Sequence, residues 1–551
     1  MEKRLLLAIV LSFLVLFLWQ AIFFKKEPPP EPISKPAIEI EQKSEARSLQ
    51  KKGVTSPETI KSAEKIDFQP VYEQIEKQIV VDTSLYRAVW SNKGALLKSW
   101  KLKEFKDDDK EDLELISAHS EEIDKYPFLL STGDSFFDDV INKAFYKSSR
   151  KTLDLKEGRR EELHFQYADG KGNRVEKTFT FKDGEYDVDI NIEVWKNGQK
   201  IEPNIIWGPS IGNPSAVAQK QRFGRTRGIA VYSGKKVLHQ EERKYNADNP
   251  GENTHYHIQW VGYEDQYFTA LFLTSPQEGS ATFLREEKNQ APYFFLYVSS
   301  AEKAFIGPKQ FDTLNTFGHE TKKIIRFGLF GFIAEFLYKA IKSTHKVFPN
   351  WGFCIIILTI IIKIICFPLT YSSTKSMAKM QEIQPKIKAL RAKHKKAKQD
   401  IAQRRKMNEE MMKIYKEHGI NPAGGCLPML IQLPIFWGFF RLLIIAVEFR
   451  QSPFIFWIKD LSIKDPYYVT PILMGITQFI SQKMTPTSAE PTQQKMMLIM
   501  PVIMTIFFMN FQSGLVLYWL TNNILQIGQQ YIMNRFLHKK KRVSNGKKRK
   551  K

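Results

Sequence analysis

Apolar positions follow three rhythms along this chain, and each predicts a different kind of element. Apolar-rich runs occupy residues 5–24, 351–370, 427–447, 467–480, 496–509 and 515–533, and read as membrane spans or as parts of a tight bundle. The fourth and fifth runs are short, so a bilayer around them has to thin locally or neighbouring helices have to shelter them. Between the first two runs, from about Phe68 to Phe317, apolar and polar residues alternate with period two between turn residues, the signature of half-buried antiparallel strands. In KTFTFKDGEYDVDINIEV, Phe179 and Phe181 alternate with polar residues and Asp183-Gly184 supplies a turn. Tyr186, Val188, Ile190, Ile192 and Val194 then share one side. The runs RAVWSN, YFTALFLT and PYFFLYVS extend this to a sandwich of many strands.

The third rhythm is helical. Ile325, Leu329, Phe332, Ile333, Phe336, Leu337, Ala340 and Ile341 recur at helical spacing among Lys322, Lys323, Arg326, Lys339 and Lys342. This predicts an amphipathic helix on a membrane surface, with a buried core helix as the alternative. Over residues 372–418, Met380, Ile383, Ile387 and Leu390 are followed by Met407, Met411 and Ile414, which predicts two antiparallel helices with narrow apolar seams, modest packing and mobility. Asn421-Pro422-Ala423-Gly424-Gly425 resists helix continuation and ends that hairpin.

The N-terminus has Lys3 and Arg4 before its apolar run and no convincing small-x-small site before Lys25 and Lys26, so it reads as an uncleaved signal anchor. The organisation that follows starts with the anchor and first transmembrane helix at 1–25, a flexible Pro-, Glu-, Lys- and Ser-rich tether at 26–65 and a β-sandwich at 66–320. An interfacial helix at 321–349 leads into the second transmembrane helix at 350–371 and the helical hairpin at 372–420. The third transmembrane helix takes 421–447, a connecting segment 448–466, the fourth 467–483, a loop 484–495, the fifth 496–511 and the sixth 515–534. A basic tail follows at 535–551.

Charge orients these elements. The 82 Lys and Arg exceed the 59 Asp and Glu by a net +23, and the excess is concentrated in 375–416 and in 535–551, which holds no acidic residue. Positive-inside bias places hairpin, tail and N-terminus in the cytosol, with the sandwich, the 448–466 segment and the turn at 511–514 outside. The same charge suits ribosomal RNA or anionic lipid, and the sequence does not apportion it. All three cysteines, Cys354, Cys366 and Cys426, lie in or beside apolar runs, so the sandwich has no cysteine and has to be held by its own core.

Lys363 is the informative exception within the run 351–370. A cation at that depth costs roughly 2.5–3.5 kcal/mol on insertion scales, and is usually tolerated where it faces a wet cavity or a partner. Snorkelling of the long stem toward an interface is the plainer alternative. Thr359 lies one turn away on the same face and Gln432 in the next run, so the three residues could line one wet groove. Gln478, Thr505, Asn522, Asn523 and Gln526 are further polar positions, for which interhelical hydrogen bonding is the simpler reading. No acidic residue sits near the middle of any run to pair with Lys363. Pro368, Pro434, Pro471 and Pro501 predict kinks, and the dense methionines from Met474 to Met509 offer an adaptable apolar face or plain lipid packing.

The pattern speaks against several function classes. His239, His255 and His257 lack a metal-ligand spacing, no Ser-His set or paired aspartates lie in the runs, and no GxxxxGK[ST] phosphate loop occurs. Neither a catalytic residue, a metal nor a cofactor is expected. A secondary transporter with a cationic midplane site is the rival, although no inverted repeat is visible.

The stretches NWGFCIIILTIIIKIICFPLT, SMAKMQEIQPKIKALR, NPAGGCLPMLIQLPIFWGFFR, PFIFWIKDLSIKDPYYVTPILMGITQFISQKMTP and the region from QQKMM to SGLVLYWLTNN resemble the YidC family of bacterial membrane protein insertases across residues 350–535. The anchor, tether and large β-domain resemble the Gram-negative form of that family. The resemblance implies an α-helical bundle of five conserved spans plus the N-terminal anchor, a galactose-mutarotase-like β-sandwich in the periplasm that serves for docking, and a cytosolic helical hairpin. It implies ATP-independent insertion of nascent or newly made membrane proteins into the inner membrane, with the Sec translocon, the ribosome (through the hairpin and the basic tail) and membrane lipids as partners. The family's groove cation, usually arginine, falls on Lys363, which keeps the charge and loses the bidentate fork. The groove threonine falls on Thr359, the glutamine on Gln432 and an aromatic pair on Tyr518 and Trp519, with Asn522 beside them. Where relatives often carry a second tyrosine, Trp519 donates a hydrogen bond and accepts none.

Overall fold

A computed structural model describes residues 68–212, 227–246, 253–288, 291–328, 330–394, 400–420, 427–485 and 491–548. The predicted anchor, the tether and the Asn421–Gly425 hairpin end lie outside the described residues. Among the described residues the β-domain has three sheets. The largest runs in the order Val237–Glu241, Gly228–Tyr232, Trp260–Glu264, Phe268–Thr274, Ala301–Pro308, Asp187–Lys196, Arg174–Lys182, Arg160–Ala168 and Lys147–Ser148, with Gln199–Ile201 paired to Asp187–Lys196. A five-stranded sheet orders Asp112–Glu114, Leu96–Lys106, Tyr86–Ser91, Gln78–Asp82 and Thr152–Asp154, the last pair parallel. Another orders Asn253–Tyr256, Ser280–Lys288, Ala291–Ser299, Asn204–Trp207 and Leu129–Ser131. Short helices α1 (His119–Ile123) and α2 (Ser135–Lys143) lie between strands in the chain, and α3 (Phe311–Phe317) follows the last strand.

The alternation read from sequence becomes register. Val188 faces Phe181 and Ile190 faces Phe179 across an antiparallel pair, with Gly184 at φ +79° in the turn. Phe179, Phe181, Tyr186, Val188, Ile190 and Val194 are buried, while Ile192 is half-buried. Trp90 and Phe179 rings meet at 4.3 Å, and Phe128 stands edge-on to Phe179 at 5.1 Å, so the core is dominated by aromatic contacts.

The same parity puts Lys177 inside. It is fully buried and its Nζ donates to the carbonyls of Gly94 and Phe128, both at 2.7 Å, and to that of Ala95 at 3.5 Å. Burial pushes its pKa down to about 7. Unfolding returns the amine to its ordinary range, so between about pH 7 and that range the unfolded chain binds more protons and stability rises with pH. The slope should approach about 1.4 kcal/mol per pH unit in that window. Urea titrations of the β-domain at several pH values should lose this rise in Lys177→Met, and an unchanged slope would count against it.

The helical part begins with α4 (Gly331–His345), which is shorter than the predicted 321–349 because Thr321–Ile324 is a 3-10 turn and Gly328 takes φ +77°. Ala334, Leu337, Tyr338 and Ile341 are buried against the bundle, and Phe332 and Phe336 point outward. The predicted second span is two helices, α5 (Trp351–Ile365) and α6 (Phe367–Glu382), which meet at 60°. Pro368 explains the break, since it has no amide to donate and its ring clashes with the carbonyl of Ile364. Among the described residues no single helix is long and apolar enough to cross a membrane, but this bent pair meets that test jointly.

The bend carries α6 directly into the hairpin, followed by α7 (Gln384–Lys393) and α8 (Ile401–Glu417). Ile383, Ile387 and Ile420 are buried together with Met380, Met411, Ile414 and Tyr415 against them, a small seam of the predicted kind. Asp400 caps α8 by accepting from the Ala402 and Gln403 amides at 2.8 and 3.4 Å. Four further helices complete the bundle: α9 (Leu427–Ile445), α10 (Val469–Met484), α11 (Pro491–Phe508) and α12 (Ser513–Lys548). Pro434 lies within α9 and Pro501 within α11. The predicted sixth span and most of the basic tail form one continuous helix, because no Pro and only Gly528 and Gly546 interrupt 515–548.

Candidate functional site

Helices α5, α6, α9, α10 and α12 surround a cavity of about 360 Å³. Thr359 and Lys363 line it from α5, Cys366 from the break that follows, and Gln432 and Phe436 from α9. Gln478 and Ser481 line it from α10, and Tyr518, Trp519, Asn522 and Gln526 from α12. The six candidate residues from the sequence thus border one space. The bend between α5 and α6 falls on its wall at Cys366.

Lys363 is held rather than free. Its Nζ donates to Asn522 Oδ1 and to Gln526 Oε1, each at 2.9 Å, and no carboxylate among the described residues pairs with it. The sequence offers no acidic partner for Lys363, and the structure supplies two neutral amide acceptors instead. It also argues against snorkelling, because the head group is tethered to a neighbouring helix inside the bundle. Both acceptors are neutral, so the positive charge of the cavity is kept while two ammonium protons are satisfied.

The other candidates are arranged around that centre. Thr359 is 2% exposed and its hydroxyl donates to the Ile355 carbonyl at 2.6 Å, which leaves its oxygen as an acceptor only. Tyr518 hydrogen-bonds with Gln432 and stacks on Phe439 at 4.3 Å. Trp519 donates from Nε1 to Gln478 Oε1 at 3.1 Å and stands edge-on to Phe436 at 4.9 Å. Asn523 points elsewhere, donating to the Met474 carbonyl at 3.1 Å and so bracing α12 against α10.

Sequence reasoning did not select Gln478, Gln526 or Gln530 as site residues, although all three border the cavity. The signal was available for two of them. Asn522, Gln526 and Gln530 are spaced by four and therefore share one face of α12. In the β-domain, His239 bonds Glu264, His255 bonds Gln240 and His257 bonds the Gln277 carbonyl. Among the described residues no group of three or more His, Cys, Asp or Glu could hold a metal ion.

Comparison with known proteins places this geometry. The family model described as "60Kd inner membrane protein" matches residues 343–541, and that described as "YidC periplasmic domain" matches residues 78–340. A membrane protein insertase YidC of Syntrophus aciditrophicus (strain SB) is 38% identical over 97% of this chain and 100% of its own length. The chain belongs to the YidC family of membrane protein insertases. A crystal structure of an active YidC insertase with its first transmembrane domain resolved is 20% identical, with 85% of this chain and 95% of that one covered and a TM-score of 0.37. A galactose mutarotase-like protein from Lactobacillus casei ATCC 334 is 11% identical, with 42% of this chain and 100% of that one covered and a TM-score of 0.29. YidC membership makes this an inner membrane protein with a periplasmic β-domain. It leaves the transporter reading without support.

Proposed function

We propose that this chain inserts membrane proteins by receiving the polar, translocated segment of a client in the cavity around Lys363. The observation that carries this reading is a cationic, amide-lined space among helices that expose many apolar side chains on their outer faces. A polar segment crossing hydrocarbon has to leave its water, and a cavity offering a cation and several amides replaces part of that hydration. The client's apolar helix then moves along the exposed faces of α9 and α11 into lipid, and hydrophobic transfer completes the step without nucleotide hydrolysis. Lys363, Thr359, Gln432, Tyr518, Trp519 and Asn522 form the client-binding surface.

In this reading the N-terminus, the hairpin at 372–420 and the basic tail at 535–551 are cytosolic. The β-domain at 66–320 and the 448–466 segment are periplasmic, and the spans follow the boundaries given above. The hairpin captures nascent chains and, with the tail, meets the ribosome through basic charge. The Sec translocon and lipids are the membrane partners, and the β-domain is a docking module rather than a sugar enzyme.

The purified full chain in liposomes, supplied with a small two-span client and no nucleotide, tests the reading. Protease protection of the client should exceed that in protein-free liposomes several-fold. Equal protection, or a requirement for ATP, would overturn it.

A further inference from the structure

The segment between α9 and α10 forms a hydrogen-bonded cap that leaves large apolar side chains exposed. Asp465, 1% exposed, accepts from Trp457 Nε1 and the Tyr467 amide at 3.0 Å through one oxygen, and from the Thr470 amide and hydroxyl at 2.8 Å through the other. The cap is tied to the start of α12, where the Ser513 amide donates to the Ile463 carbonyl at 2.7 Å and the Gly514 amide to the Leu461 carbonyl at 3.0 Å. It is also tied to the start of α5, where Asn350 Nδ2 donates to the Phe454 carbonyl at 3.1 Å and the Phe353 and Phe454 rings meet at 5.4 Å. A Cβ at Gly352 would overlap the Phe454 ring, so glycine permits this seating.

On this well-tied scaffold Phe456 is 77% and Tyr467 68% exposed, and Ile455 is exposed beside them. Phe456 also holds φ +51°, a backbone conformation that bulky residues rarely adopt. Its ring stacks beside Trp457 at 6.0 Å, and Trp457 Nε1 and the Tyr467 amide share one Asp465 oxygen, so the backbone that presents these aromatics is held in place. In water that surface has no gain to set against its strain and exposure.

We propose that this cap docks into the interfacial layer of the bilayer, with Ile455, Phe456 and Tyr467 below the headgroups and Lys459 and Lys464 at the level of lipid phosphate. The occupant is lipid because exposed apolar side chains recur along the helix that follows. Tyr467 stands just before α10, whose outward Ile472, Leu473, Ile476 and Phe479 are exposed in the same way, and in an inner membrane protein acyl chains cover such a face. Exposed Lys459 and Lys464 complement phosphate, and aromatics with flanking lysines are the usual composition of a membrane–water boundary. The consequence is positional. Because the cap holds the ends of α5, α10 and α12, its seat fixes the depth of the cavity, with Lys363 about 18 Å along the helix from Trp351. Which leaflet is occupied rests on the orientation proposed above, whereas docking itself does not.

The full chain carrying benzoylphenylalanine in place of Phe456, in vesicles of phosphatidylethanolamine and phosphatidylglycerol, should give lipid photo-adducts about tenfold more abundant than the same probe at Lys110 on an exposed β-domain turn. Equal adduct levels, or predominant crosslinks to a second copy or to a client polypeptide, would overturn the proposal. In a cysteine-free background, Tyr467→Cys bearing an environment-sensitive dye should be quenched by headgroup nitroxides and protected several-fold from aqueous iodide relative to Lys110→Cys. Iodide access equal to that at Lys110 would overturn the proposal independently of the Phe456 variant. Quenching confined to the cytosolic leaflet would overturn the orientation and leave docking intact.

Discussion

Glu264→Ala is expected to destabilise the β-domain by about 3–5 kcal/mol, the usual effect of stripping the anion from a buried charge cluster. Glu264 is fully buried at the end of the strand Trp260–Glu264. One carboxylate oxygen receives Arg326 Nη2 and His239 Nδ1, each at 2.8 Å, and the other receives Lys309 Nζ at 2.8 Å. Burial alone would push this carboxyl up, but Lys309, His239 and Arg326 together hold it well below the usual carboxylate range. Truncation leaves Lys309, itself only 7% exposed, without its counter-charge. Glu264→Gln should be nearly as damaging, since the amide fills the space and leaves the cations uncompensated.

The effect should reach the helices. Arg326 also pairs with Glu241 at 3.2 Å, and its carbonyl accepts from Arg441 of α9. Gln266 donates to the Ile444 carbonyl at 2.8 Å, and Arg450 donates to the Lys106 carbonyl at 2.8 Å, so the junction is polar and specific. Denaturation of the full chain followed by tryptophan fluorescence should show an earlier β-domain transition in both variants, and coincident curves would refute the assignment. A carboxylate with a depressed folded value contributes stability above the ordinary glutamate range and loses it only as pH falls through that depressed value. The native chain should therefore keep this contribution at pH 5.

This cluster was not legible in the sequence, and the reason is physical. Glu264, Lys309, Arg326 and His239 are separated by up to 87 positions and meet only after the large sheet has formed. What was legible was local. Alternation around Asp183-Gly184 set the register of Val188 against Phe181, and the i, i+4 relation of Thr359 to Lys363 put both on one cavity wall. The break at Cys366 was half legible: Pro368 signalled a kink, but the apolar run over it read as one span, because hydropathy carries no information about direction. The amides that hold Lys363 were visible as polar positions. Their role was not, since it depends on how α12 crosses α5 rather than on spacing within either helix.

Lys363→Ala is expected to lower insertion of clients with acidic translocated segments on the order of tenfold, corresponding to about 1.4 kcal/mol of lost stabilisation of the crossing segment. Clients with neutral segments should lose less, because amides and water still replace part of their hydration. Lys363→Arg keeps the charge and offers more donors, so insertion should remain within about threefold of the native level. The amides make a sharper test. Asn522→Leu combined with Gln526→Leu removes both 2.9 Å acceptors and puts apolar side chains in their place, which should displace or neutralise the ammonium. That double variant should approach Lys363→Ala, and adding Lys363→Ala to it should change little more, the non-additivity of groups that act as one unit. Protease protection of matched acidic and neutral clients, measured across the series, reads both effects. Equal insertion by every variant would remove the cation from the mechanism. A loss from the amide changes that is the same for both clients would mean that Asn522 and Gln526 only hold α12 in place. The charge of Lys363 is thus separable from the positioning of Lys363, because only the first depends on what the client carries.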